Sequence, residues 1–92
     1  MKSEKNLKNI YKKGELIVNT IGWAGIVMEA TRGNDPTIIP CVEMFGFSHE
    51  CGSIYTAEIA RRIGKAEFEN FVKASGNDVG DYYFKGELID AQ

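Results

Sequence analysis

The apolar positions of this chain fall in short runs separated by glycine-rich turns. Leu16-Ile17-Val18 follows a Lys12-Lys13-Gly14 turn and predicts a strand, because such residues pack well on a pleated, buried surface. Residues 23–31, WAGIVMEAT, predict a second strand, entered through a turn bracketed by Asn19 and Gly22. There Ile26 and Met28 share one face, and Val27 and Glu29 share the other. Gly25 marks a bulge or a close backbone approach. Gly33-Asn34-Asp35-Pro36 is a loop. Residues 37–45, TIIPCVEMF, predict a third strand. Pro40 has no N–H to give a ladder, so it points to an edge strand or a bulge.

The second half is less uniform. Ser53–Ala57 reads equally well as a fourth strand or as the approach to a short helix, TAEIARRI, capped by Ser53 or Thr56 and ended by Gly64. Residues 65–75 predict a helix, with Phe68, Phe71 and Val72 on one stripe and a stop at Ser75-Gly76-Asn77. The aromatic run YYFKGELI, residues 82–89, favours extended structure and is expected to return to the sheet. Lys13-Gly14-Glu15-Leu16-Ile17 recurs as Lys85-Gly86-Glu87-Leu88-Ile89, which reads as two similar turn–strand entries rather than a duplicated unit. Residues 1–9 are polar and predicted to be a flexible end, leaving 10–92 as one small domain.

These elements predict a mainly β domain with one helix in its C-terminal half, either a small SH3-like barrel or a curled α+β sheet. Lys13-Gly14 ahead of the first strand and Gly25-Ile26-Val27 at the second resemble the opening of SH3-like barrels. The resemblance covers residues 11–30 and implies a barrel; it implies no activity.

Ninety-two residues make one domain with a thin core. Eleven Lys and Arg against thirteen Asp and Glu give a net charge of -2, which argues against a general duplex-binding protein. Five lysines crowd residues 1–15, whereas residues 33–60 carry four carboxylates and no Lys or Arg. That polarity could steer a partner. No apolar run approaches the roughly 20 residues needed to cross a bilayer. The basic start, MKSEKNLKNI, leads into no apolar signal segment. The expected location is the cytoplasm, with no membrane partner. There a two-cysteine disulfide scaffold is not expected, although one bridge stays open.

Three chemistries are weighed. Cys41, His49 and Cys51 offer thiolate, imidazole and thiolate at a C-x7-H-x-C spacing, which admits zinc but matches no common zinc motif. The same residues could form a Cys–His nucleophile, but no orienting Asn or Asp is assignable. Ser53 lacks the G-x-S-x-G elbow, and residues 64–68, GKAEF, lack a P-loop's glycines and hydroxyl. No cofactor and no enzymatic activity are expected. Nucleic-acid binding would rest on Lys8, Lys12 and Lys13, joined by Arg61, Arg62 and Lys65, with Tyr11 and Trp23 as stacking rings. The preferred reading is a protein-interaction module, an adaptor, regulator or inhibitor, using Trp23, Phe45, Phe47, Tyr55, Tyr82 and Tyr83 as contact aromatics. Its partner would be another protein, or a second copy paired through a strand edge near Pro40 or in the tail.

Overall fold

A computed structural model describes residues 10–76. Strands β1 (Leu16–Asn19), β2 (Ala24–Glu29), β3 (Ile38–Phe45) and β4 (His49–Tyr55) form an antiparallel meander. A single 3-10 turn, Thr56–Glu58, leads into β5 (Ile59–Arg62), which pairs antiparallel with β1. The sheet order is β4-β3-β2-β1-β5, and helix α1 (Lys65–Ala74) follows.

That 3-10 turn dictates the shape of the sheet. At one end, the Thr56 N–H donates to the Thr37 carbonyl, just before β3, at 2.8 Å. At the other, the Thr20 N–H, just after β1, donates to the Glu58 carbonyl at 2.9 Å. On a flat sheet these are diagonal corners roughly 30 Å apart, at about 3.3 Å per residue along a strand and 4.8 Å between strands. A turn rising about 2 Å per residue over three residues cannot span that distance. The sheet is therefore rolled until the corners meet. It is curled and remains open, so of the two expected architectures the curled sheet is the one that forms.

Rolling gives two apolar clusters. Ile17, Val27, Ile39, Val42 and Met44 are buried together with Tyr11, and Trp23, Ile54 and Ile59 pack against them. All five strands contribute, which identifies this cluster as the inside of the curl. Leu16, Val18, Ala24, Ile26 and Phe45 occupy the outer face beneath α1, with Ile63, Phe68 and Val72. The Phe68 ring meets Phe45 edge-on, with centroids 5.8 Å apart. Because both faces of β1 are covered, its sequence is a continuous apolar run rather than an alternation.

Several sequence expectations are corrected or resolved. TAEIARRI is no helix; it is the 3-10 turn and β5, because hydrogen bonding to β1 outweighs a weak local preference. The strand reading holds for Ser53–Tyr55, but β4 begins earlier, at His49. β3 is flanked on both sides, so Pro40 marks a bulge and no edge: the register with β4 shifts between Ile39 and Val42. Pairing with a second copy along that part of the chain is thereby removed. Gly25 is a close approach of side chains more than of backbone, since a β-carbon there would lie 2.5 Å from the Met44 sulfur and 2.9 Å from Val42 Cγ1. The return of residues 82–89 and the second KGELI stretch lie outside the described residues. No described helix is long and apolar enough to cross a membrane.

Candidate binding groove

Two hairpin turns converge on the C-terminal end of α1. The first joins β1 to β2. Asn19 closes it, its side-chain Oδ1 accepting from the Ile21 and Trp23 N–H groups at 3.1 and 2.8 Å. Gly22 completes the bend at a φ of 91°, a left-handed conformation that L side chains rarely adopt. This geometry pushes Ile21 outward, leaving it 75% exposed. The second turn, Gly46-Phe47-Ser48, joins β3 to β4 and is closed by the Gly46 N–H donating to the Ser48 carbonyl at 3.0 Å. Phe47 stands at its tip, 97% exposed.

Trp23 links the turns. Its indole lies against Gly46, where a β-carbon would come within 2.0 Å of the ring. The Phe47 ring meets it edge-on, centroids 6.0 Å apart. Ile21, Trp23, Gly46 and Phe47, with Phe71 and Ala74 of α1, line an open groove of about 370 Å³. That is at the small end of the roughly 300–1,000 Å³ typical of ligand pockets, and it suits an anchoring side chain.

The other aromatics named from the sequence divide. Phe45 is core, 1% exposed and stacked on His49 with centroids 4.6 Å apart, so it is corrected from a surface contact to a packing residue. Tyr55 is exposed at the end of β4 and does not line the groove. Tyr82 and Tyr83 lie outside the described residues.

Of the basic set, the two arginines are engaged by carboxylates. Arg61 forms a two-pronged ion pair with Glu67, one arm at 2.9 Å; the hydrogen bond raises the guanidinium's pKa and holds the carboxyl below its usual range. Arg62 donates to Glu15 Oε1 at 2.6 Å and to the Ile10 carbonyl at 2.5 Å, and its guanidinium lies 4.1 Å from the Tyr11 ring centre. Tyr11 is buried beneath it, and burial pushes the phenol's pKa up while Arg62 pulls it down. Tyr11 is thus corrected from a stacking platform to a core residue. Lys12 and Lys13 are exposed, and Lys8 lies outside the described residues.

Cys41, His49 and Cys51 share the outer face of β3 and β4. The register sets His49 opposite Phe45 and Cys51 opposite Glu43, and cross-strand partners project to one side. Yet the face sorts into pairs. His49 Nε2 lies 2.8 Å from Oε1 of the buried Glu43, and Cys41 Sγ lies 3.8 Å from Cys51 Sγ. Among the described residues no three His, Cys, Asp or Glu side chains converge to hold a metal ion.

Trp23 and Phe47 are named from the sequence; Ile21, Gly46 and Phe71, which the structure places beside them, are not. The available signal was the spacing of turns: alternate hairpins of a meander, here those at Asn19–Gly22 and Gly46–Ser48, emerge at the same end of the sheet, with the β2–β3 connection at the other.

Fold and site together define a small curled-sheet domain with an apolar groove at its hairpin tips. No protein-family model matches the chain, and neither a curated protein nor a solved structure is significantly similar to it.

Proposed function

We propose that this is a small non-enzymatic interaction module of the cytoplasm, an adaptor, regulator or inhibitor that seats an apolar side chain of a partner protein between its two hairpin tips. The observation that carries the reading is the position of Phe47 and Ile21. Among the described residues they are the two most exposed of the large hydrophobics, and both line the same groove. Isolated exposed apolar residues are ordinary, but a clustered pair over an aromatic floor resembles the anchor pockets of protein interfaces. The mechanism is occupancy: the module blocks or bridges its partner and breaks no bond. Arg61 and Arg62 are already engaged by carboxylates, which leaves Lys12 and Lys13 as the exposed cations of that set among the described residues and favours a protein partner over nucleic acid.

The test uses a displayed library of random peptides panned against the full chain. Enriched sequences should share an aliphatic or aromatic anchor. Trp23 is the sole tryptophan and lies on the groove floor, so its emission should shift when such a peptide binds. Phe47→Ser should weaken binding by about 2 kcal/mol or more, roughly thirtyfold in Kd, without moving the urea midpoint. Peptides that bind Phe47→Ser and Ile21→Ser as tightly as the parent would refute the groove.

A further inference from the structure

We propose that Cys41 and Cys51 are a peroxide-oxidisable dithiol that closes reversibly into a disulfide bridging β3 and β4. Four observations support the pairing. The sulfurs are already 3.8 Å apart in the folded chain, although the residues are ten positions apart in sequence. Cys51 is exposed on β4 and open to a small oxidant, whereas Cys41 is half-buried beside it on β3, suited to attack second. Burial pushes the Cys41 thiol's pKa up, and the neighbouring Cys51 and the Glu29 and Glu43 carboxylates reinforce the effect. The greater exposure of Cys51 gives it the first encounter with oxidant.

The fourth observation concerns the backbone. Bonding requires the sulfurs to approach from 3.8 Å to about 2.05 Å. The β3–β4 ladder is interrupted beside Cys41, where the register shifts between Ile39 and Val42, and Pro40 has no N–H to lose. The bulge can therefore move with little loss of regular pairing. Soft cations are the competing use of two thiols, but among the described residues no third ligand joins them.

The chemistry balances with a hydroperoxide as oxidant. The Cys51 thiolate attacks the terminal peroxide oxygen. An S–O bond forms, the O–O bond breaks, and the departing oxygen takes a proton to leave as water or an alcohol. Cys41 Sγ then attacks the Cys51 sulfenic sulfur. The S–S bond forms, the S–O bond breaks, and the Cys41 proton leaves with hydroxide as water. Two thiols are oxidised and one peroxide is reduced. The reaction is independent of the groove, so the two proposals stand or fall separately.

The experiment treats the dilute full chain with hydrogen peroxide and follows intact mass and maleimide labelling. The expected product is monomeric, two hydrogens lighter, blocked at both thiols and restored by dithiothreitol. Peptide mapping should join Cys41 to Cys51. Bridging should run roughly tenfold or more faster in the native chain than in urea, because folding holds the sulfurs together. Cys41→Ser should accumulate a Cys51 sulfenic acid that dimedone traps, and Cys51→Ser should oxidise slowly. Both variants are near-isosteric, and their urea midpoints report whether they fold. The proposal is overturned if native protein gives only intermolecular dimers or a Cys51 sulfinic acid with Cys41 still reactive. Bridging no faster than in urea would overturn it as well.

Discussion

Phe68→Ala is expected to remove about 3–5 kcal/mol of stability, the range found when a fully buried phenylalanine is truncated. Phe68 is 0% exposed and lies between α1 and the outer face of the sheet, its ring on Phe45. No other described element covers Leu16, Val18, Ala24 and Ile26 on that side. Losing the ring leaves a cavity beneath the helix and weakens the apolar attachment of α1. Against a total of roughly 5–15 kcal/mol for a folded domain, that is a large share. A urea titration followed by circular dichroism reads it directly. Phe68→Leu, which keeps most of the volume, should recover much of the midpoint. An unchanged midpoint for Phe68→Ala would mean that α1 is not seated as described.

Arg62→Met is expected to cost about 1–3 kcal/mol, below the range for breaking a fully buried ion pair because the guanidinium is partly solvated. Arg62 joins three separate parts: β5, the Ile10 carbonyl and Glu15 ahead of β1. Its side chain is 30% exposed, but that of Glu15 is only 12% exposed, so the variant leaves a carboxylate with little access to water and without this countercharge, although the Lys12 N–H still donates to Glu15 Oε2 at 2.6 Å. Methionine keeps an apolar stem over Tyr11, which separates loss of charge from loss of packing. Arg61→Met is the control: its partner Glu67 is solvated, and the midpoint should stay where it is. Equal midpoints for the two variants would remove the special role given to Arg62.

The fold is legible in the sequence wherever burial is settled by neighbours close in the chain. β1, β2, β3 and α1 each carry an apolar pattern that their own residues declare, and their ends fall within two residues of those expected. β4 and β5 do not. His49–Ser53 is polar and exposed on an outer strand, so no alternation marks where the strand begins. Ile59–Arg62 is half-exposed and owes its conformation to β1, more than forty residues away. The site divides along the same line. An exposed phenylalanine next to a turn glycine is visible in the sequence; its contact with Trp23 across two hairpins is not. Cys41 and Cys51 were open to several pairings because the bulge at Pro40 sets which residues face each other.

The corner that the 3-10 turn brings together has a kinetic consequence. The meander is expected to assemble first, from hairpins that close short loops. β5 gains its hydrogen bonds only when Arg62 reaches Ile17, after the sheet has rolled. Ordering that long span carries the larger loop-closure entropy, and its contacts are rewarded late. Weakening β5 or α1, at Arg62 or at Phe68, should therefore quicken unfolding more than it slows folding. The lifetime of the native state is then governed by how long this last-joined corner stays closed.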